Sequence, residues 1–454
     1  MDLTALEKRP NDDAYLFGPG PAWFAFAMTL ALMVVDYVDR QVIVSLFPYM
    51  KADWGLSDKQ LGALASVVSV TVALGALPVA LFADRASRVK SIVAMATVWS
   101  LATISCMFTR SYGQLLAARS LVGLGEAGYG SVGAALIASH FPARMRSALM
   151  AGFFASASVG AVLGVMLGGV IAARWGWHAA FGVVGVPGLV LALAYLKVRD
   201  YRTVALDAAL DAKRRSLGEA ARHIVGLLVR SPTMLWVCVG GAAQLIVVSA
   251  LWSWLASFLN RVHGIAPGQA GVKAALVVLA GALGSVVWGA VADRAGRRAP
   301  ARKLAVMALL CIVSMLLIAF AFGADKVGVA LDPGAQFTLI VVGGFVATCT
   351  VGPVSAIVID VIHPGVRATG SSVLALFQNL FGLAAGPFLV GVLSDAWGHA
   401  DDAGAGLTQA LTAIPAFGAV AALAFLLAGR SYEADKSRAS ELALAPAAAT
   451  PALA

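Results

Sequence analysis

The sequence has little charge. Asp, Glu, Lys and Arg make up 13% of its 454 residues, about half of the share in a soluble domain. Hydrophobic residues make up 60%, and they form runs of about 20 residues, the length that crosses a bilayer core. The composition excludes an ordinary soluble protein. Because the runs lack the alternation of a membrane β-barrel, the sequence predicts an all-α membrane protein.

Several functional signals are also absent. The sequence has no phosphate-binding loop of the Walker type, so ATP-driven transport would need a separate ATPase subunit, of which there is no sign. The six histidines lack metal-ligand spacing, and we expect no metal and no cofactor. Neither a Gly-x-Ser-x-Gly tract nor a Cys-His pairing is evident, so we expect no enzyme. The four cysteines lie in apolar runs and are interpreted as buried thiols.

The apolar runs predict twelve transmembrane helices in two six-helix halves. The expected spans lie near 22–50, 59–83, 90–109, 112–140, 146–173 and 177–198, and then near 232–261, 268–292, 302–323, 335–362, 367–394 and 405–429. We therefore assign 1–21 to an N-terminal tail, 22–198 and 232–429 to the two halves, 199–231 to a linker with a surface helix, and 430–454 to a disordered C-terminal tail.

The net charge of +9 comes from Lys and Arg in short loops, without a basic groove, so we expect no nucleic-acid partner. With the N-terminus inside, 24 of the 33 Lys and Arg residues fall on the cytoplasmic side and 7 outside. This bias predicts that both termini are cytoplasmic. We expect a multi-pass protein of the bacterial inner membrane, in contact with the lipid bilayer.

The chain repeats a short tract after the second span of each half. Residues 80–88 (ALFADRASR) match residues 289–297 (GAVADRAGR) at an offset of 209. Two parallel six-helix halves are a known architecture of secondary transporters. The second tract resembles the loop motif of the major facilitator superfamily, and the first is a degraded copy with Ala80 and Ser87 in place of glycines.

Shorter motifs resemble the spinster-like branch of that superfamily. They are Tyr37-Val-Asp39-Arg40, Arg119-Ser-Leu-Val-Gly-Leu-Gly-Glu126-Ala-Gly128 and Pro142-Ala-Arg-Met-Arg146. The resemblance implies the twelve-helix major facilitator fold, with a pseudo-twofold axis between the halves, and transport by alternating access. Animal members of the branch move lysophospholipids or sphingosine-1-phosphate.

Ionisable residues inside spans are rare, since one at the bilayer centre costs about 2.5–3.5 kcal/mol on insertion scales. The first and fourth spans carry five: Asp36, Asp39, Arg40, Arg119 and Glu126. From a helix rise of about 1.5 Å per residue, Asp39 lies at a depth of about 16 Å from the outer end, between Arg119 at about 10 Å and Glu126 at about 21 Å. The resemblance implies that both spans line a central cavity.

We predict that Glu126 carries a proton, with Asp39 as the second candidate. Burial favours a protonated carboxyl group and a nearby guanidinium favours the carboxylate, so movement of an arginine would switch proton binding. Arg40 and Arg119, with Tyr37 and Asp36 beside them, are expected to bind the charged end of a substrate. For Asp36, a structural pair with Arg40 four residues on is an equal alternative.

The second half has no charge at mid-depth in its spans. Its expected contribution to the cavity is Gln244, Trp252, Gln378 and Asn379, although the last two point about 100° apart on a helix. For the tryptophan, packing against lipid is an equal alternative. A cavity with one charged and one apolar wall suits an amphipathic substrate.

The resemblance further implies a cytoplasmic gate at the repeated tracts. Its predicted residues are Asp84, Arg85 and Arg88 in the first copy, and Asp293, Arg294 and Arg297 in the second. The alternative is that these charges only set the topology.

The sequence thus predicts a proton-coupled secondary transporter that uses the proton gradient, acts as a monomer and moves a lipid-like or amphipathic anion. Two alternatives remain within the class: a symporter of protons with a small organic anion such as a sugar acid or carboxylate, and a multidrug efflux antiporter. A receptor, scaffold or channel is disfavoured by the buried charges and by the repeat of six spans.

Overall fold

The computed structural model describes residues 15–85, 87–200, 231–297, 299, 301–362, 367–398 and 404–444. Within them, twelve helices are long and apolar enough to cross a membrane, and no strand occurs. The first six are α1 (Pro19–Trp54), α2 (Asp58–Arg85), α3 (Arg88–Cys106), α4 (Tyr112–Glu126 and Tyr129–His140), α5 (Ala143–Trp175) and α6 (Trp177–Tyr195). The prediction of an all-α membrane protein with twelve spans is confirmed.

The other six helices include three that are interrupted. They are α7 (Pro232–His263), α8 (Pro267–Gly296), α9 (Arg302–Gly323), α10 (Pro333–Ala347 and Val351–Asp360), α11 (Arg367–Phe377, the π-helical Gln378–Leu383 and Ala385–Trp397) and α12 (Ala405–Ala413 and Phe417–Leu444). A helix satisfies its backbone hydrogen bonds internally, which is why apolar runs of this length fold as helices in lipid.

The described residues form two compact units. The first contains those within 1–46 and 71–204, and the second those within 47–70 and 205–454. The last two turns of α1 and the first half of α2 therefore pack in the second unit. Residues 201–230, on which the predicted surface helix falls, lie outside the described residues, as do 1–14 in the predicted N-terminal tail.

Close packing of α5 on α1 positions the charged segment of α1 in the first unit. Gly160, Gly164 and Gly168 recur every four residues along one face of α5, and a Cβ atom at any of them would collide with a backbone carbonyl of α1. Small residues allow such close contact between helices in a membrane. The core beside this contact contains the buried rings of Trp99 and Phe153.

The C-terminal tail differs from the prediction. We expected disorder from residue 430, but α12 remains helical to Leu444. Asp435 on this extension is 4% exposed, and its Oδ2 accepts hydrogen bonds from the Ser231 hydroxyl at 3.2 Å and the Thr233 N–H at 3.0 Å. A carboxylate at the N-terminus of α7 also interacts favourably with the helix dipole, and these contacts explain the order of residues 430–444.

Candidate functional site

The five ionisable residues predicted to act together do lie together, inside the first unit. Asp36, Asp39 and Arg40 come from α1, and Arg119 and Glu126 from α4. The side chains of Arg119 and Glu126 have no exposed surface, and that of Arg40 is 16% exposed. Such groups are stable at this depth only when they are paired.

The first pair joins α4 to α1. Nη1 of Arg119 lies 3.2 Å from Oδ1 of Asp39 and also donates to the Asp39 carbonyl oxygen at 3.3 Å. The other carboxylate oxygen of Asp39 accepts a hydrogen bond from the hydroxyl of Thr103 on α3. Both oxygens of Asp39 therefore have a donor. Sequence reasoning missed Thr103, because a single threonine in an apolar run carries no signal.

The second group centres on Arg40. Its Nε lies 3.0 Å from Oε2 of Glu126 and 3.4 Å from Oδ2 of Asp36. One guanidinium thus pairs with two neighbouring carboxyl groups. Tyr37 lies against the same guanidinium, whose central carbon is 5.3 Å from the centre of the tyrosine ring.

The cluster leaves polar atoms unsatisfied among the described residues. Nε and Nη2 of Arg119 have no hydrogen-bond partner there, and neither carboxylate oxygen of Glu126 accepts a bond from an N–H or O–H group. A buried charged group without its hydrogen bonds is costly. The oxygens of Glu126 are suited to bind a proton or water. The N–H groups of Arg119 are suited to bind water or an anionic group of a ligand.

A break in α4 directly follows Glu126. Ala127 leaves the helical conformation, and Gly128 has φ +86°, in the left-handed region that favours glycine. The helix resumes at Tyr129, whose hydroxyl donates to the carbonyl of Thr29 on α1 at 2.6 Å. The predicted fourth span was continuous, so the sequence did not reveal that Glu126 ends a helix segment.

The second-half residues that we predicted to line a cavity lie in the second unit. Gln244 is fully buried, and its Nε2 donates to the Ala347 carbonyl at 2.9 Å and to Ser314 at 3.1 Å. It therefore joins α7 to α9 and α10. Trp252 is partly buried, and its Nε1 has no hydrogen-bond partner among the described residues.

Two helices of the second unit are irregular near these residues. In α10, a 3₁₀ turn spans Thr348–Thr350, and the Thr348 hydroxyl donates to the Gly281 carbonyl of α8 at 2.7 Å. In α11, Gln378 and Asn379 begin the π-helical segment, and Asn379 donates to the Ala375 carbonyl at 2.9 Å. Local π-helices are frequent at functional sites.

The predicted cytoplasmic gate is described only in part. The side chains of Asp84 and Arg85 lie outside the described residues. Arg88 donates to Ser139 at 3.3 Å. Oδ1 of Asp293 lies 2.7 Å from Nζ of Lys303, a partner that the prediction did not include. Arg294 and Arg297 are exposed.

The described residues contain no group of three or more His, Cys, Asp or Glu side chains arranged to hold a metal ion. The buried cluster of the first unit consists of paired carboxyl and guanidinium groups. Twelve candidate spans and a buried cluster of charges are features of a membrane transporter. A sequence profile of the Major Facilitator Superfamily matches residues 29–387, and the chain belongs to that family of transporters.

Several known proteins are similar over much of the chain. An "MFS-type efflux pump" of Mycolicibacterium smegmatis is 30% identical, covering 94% of this chain and 96% of that protein. "Protein spinster" of Drosophila melanogaster is 24% identical, and the alignment covers 82% of this chain and 62% of that protein. The "Gallate transporter" of Pseudomonas putida is 27% identical, and the alignment covers 68% of this chain and 74% of that protein.

The fold also matches a solved structure. A bacterial homologue of the human lysosomal transporter Spinster, in an inward-facing, unoccupied conformation, superposes with a TM-score of 0.80 at 23% identity, over 92% of this chain and 99% of that one. The predicted resemblance to the superfamily and to its spinster-like branch is confirmed.

Proposed function

We propose that the protein is a proton-coupled secondary transporter of the cytoplasmic membrane that works by alternating access and moves an amphipathic anion. The observation that carries this proposal is the buried cluster of the first unit. Charges retained inside a span are costly and are a sign of function.

The charge balance of the cluster supports proton coupling. Three carboxyl groups, Asp36, Asp39 and Glu126, surround two guanidinium groups. When all five are ionised, one negative charge is left in a buried site, and one bound proton removes it. Since Thr103 and Arg119 occupy both oxygens of Asp39, the proton is best shared by Glu126 and Asp36 across Arg40.

Proton binding would then change the partners of Arg40. A protonated Glu126 no longer attracts the guanidinium strongly, which leaves Arg40 able to bind an anionic group in its place. The arrangement links proton binding to substrate binding at the same guanidinium. The buried donors of Arg119 that lack a partner among the described residues offer a second contact for an anion.

The amphipathic part of the proposal is supported by the second unit and by the relatives. The predicted cavity residues there are neutral, and the neighbouring core is apolar, so this unit suits a hydrocarbon tail. Spinster proteins are among the relatives. The similarity to a gallate transporter supports the alternative of a small organic anion, and the similarity to an efflux pump supports the alternative of an efflux antiporter.

Ligand binding to the purified protein separates these possibilities. We expect a lysophospholipid to raise the melting temperature of the protein in detergent. The size of this shift should differ between a mildly acidic and a neutral pH. A sugar acid or a cationic dye should cause no shift. The shift should be lost in Arg40→Ala and kept in Arg110→Ala, which removes an exposed arginine. Stabilisation by the sugar acid alone would overturn the amphipathic substrate and favour organic-anion symport.

A further inference from the structure

A second polar cluster lies in the second unit, where four helices begin or end. We call it the Asp58 cluster; it consists of Lys51 at the end of α1, Asp58 at the start of α2, Arg261 at the end of α7, and Ser394 and Asp395 at the end of α11. Asp58 is 2% exposed. None of these residues belongs to the buried cluster of the first unit.

Asp58 is the centre of the cluster. Its two carboxylate oxygens accept a bidentate pair from Arg261, with Nη1 at 2.6 Å from Oδ2 and Nη2 at 2.8 Å from Oδ1. Nζ of Lys51 donates to Oδ1 and the hydroxyl of Ser394 donates to Oδ2, each at 2.6 Å. Bidentate charge-assisted bonds of this kind are the strong ones in proteins.

The backbone of α2 is held at the same place. Asp395 of α11 accepts hydrogen bonds from the N–H groups of Asp58 at 2.9 Å and Lys59 at 2.8 Å. These N–H groups lie in the first turn of α2, where the helix itself offers no acceptor. The carboxylate of one helix therefore caps the N-terminus of another, and the cap is lost when the two helices separate.

Close apolar packing continues along α2 next to the cluster. A Cβ atom at Gly62 would collide with the carbonyl of Pro387 on α11, and one at Gly391 with the carbonyl of Asp58. One helix turn further along α2, the buried Ser66 donates to the Ala384 carbonyl. The backbones of α2 and α11 therefore approach each other closely along this segment.

The Asp58 cluster joins residues from both predicted halves of the chain. Lys51 and Asp58 come from the first predicted half, and Arg261, Ser394 and Asp395 from the second. We propose that the Asp58 cluster is a latch that closes the end of the transporter predicted to face outside, and that it breaks each time that end opens. The inference rests on the proposed alternating access. The cluster lies where α1 ends and α2 begins, whereas the repeated loop tracts lie at the other end of α2 and of α8, on the predicted cytoplasmic side.

The latch is testable without substrate or proton gradient. In a variant whose four native cysteines are replaced by serine, Ser66→Cys supplies a reporter that is covered while α2 lies on α11. Cells are treated with a membrane-impermeant maleimide, and the rate of labelling is measured. Asp58→Asn removes the charge to which both cations bind, and we expect labelling to accelerate by about tenfold or more, as for loss of a charged hydrogen bond.

Three further variants test individual contacts of the Asp58 cluster. Arg261→Lys retains the charge but not the bidentate geometry, so its labelling rate should lie between those of the parent and Asp58→Asn. Ser394→Ala removes a single hydroxyl and should give a small increase. Lys59→Gln is the matched control, because its side chain is exposed while its backbone bond to Asp395 remains; it should label like the parent.

Unchanged labelling in Asp58→Asn and Arg261→Lys, in variants present at the parental level and with parental melting temperatures, would overturn the latch. Because the readout needs no transported molecule, it stands apart from the ligand and proton tests of the proposed function. Faster labelling in both variants, with proton coupling intact, would support the latch. Proton coupling itself is tested separately by the Glu126 variant.

Discussion

Individual residues in the buried cluster have unequal roles. Asp39 has Arg119 on one oxygen and Thr103 on the other, so its contacts are complete. Glu126 has an ion pair with Arg40 but accepts no hydrogen bond from an N–H or O–H group of the described residues. Of the two predicted proton carriers, we therefore propose Glu126 for the proposed proton coupling, and we propose that Asp39 holds Arg119 in position.

Replacing Glu126 by Gln tests this assignment. The amide cannot take up or release a proton at physiological pH. We therefore expect the variant to lose substrate accumulation driven by a pH gradient in proteoliposomes. Exchange of substrate across the membrane without net proton movement should persist, because the amide still fits the site. Asp332→Asn, at an exposed helix cap that Asn can also form, is the control. Gradient-driven accumulation at the parental level in Glu126→Gln would contradict the assignment.

Among the described helices, the interruptions of α4, α10 and α11 lie beside polar groups. The break of α4 follows Glu126, the 3₁₀ turn of α10 lies beside Gln244, and the π-helical segment of α11 begins at Gln378. An interrupted helix in a membrane must satisfy its backbone groups by other contacts. At α10, the hydroxyl of Thr348 donates to the Phe345 carbonyl at 3.2 Å, and the amide of Gln244 donates to the Ala347 carbonyl at 2.9 Å.

The break in α4 depends on the conformation of Gly128. An Ala at φ +86° would be strained by about 1–2 kcal/mol, so we expect Gly128→Ala to lower the melting temperature in detergent. The matched control is Gly130→Ala in the same segment. Gly130 is helical and a Cβ there meets no atom within 4 Å, so this variant should be neutral or more stable by about 0.5–1 kcal/mol. Equal effects of the two substitutions would contradict the argument.

For the whole molecule, the distribution of Lys and Arg predicts the orientation on which the latch and the gate depend. A fluorescent protein fused after residue 454 should fluoresce, and alkaline phosphatase fused there should be inactive, since it folds only outside the cytoplasm. Phosphatase fused after Arg110, in the loop between α3 and α4, should be active. The reverse pattern would invert the orientation and move the Asp58 cluster to the cytoplasmic side.

Part of the candidate site follows from simple helix geometry. A spacing of four residues predicts the contact of Asp36 with Arg40, and the depths estimated from the helix rise agree with the observed pairing of Asp39 with Arg119. The sequence did not predict Thr103, the break at Gly128 or the pairing of Asp293 with Lys303. Each of these depends on how far neighbouring helices are rotated about their axes, which periodicity does not specify.

The sequence by itself determined that the chain crosses the membrane in twelve helices, because apolar length and backbone hydrogen bonding allow few other structures in lipid. It also indicated that the five charges of the first and fourth spans are buried, because a charge facing lipid at mid-depth is costly. Only the tertiary structure decided the partners of these charges and showed that Asp58 is buried against Arg261. A buried charge binds whichever opposite charge the packed helices bring within about 3 Å, and in this chain those two residues are 203 positions apart.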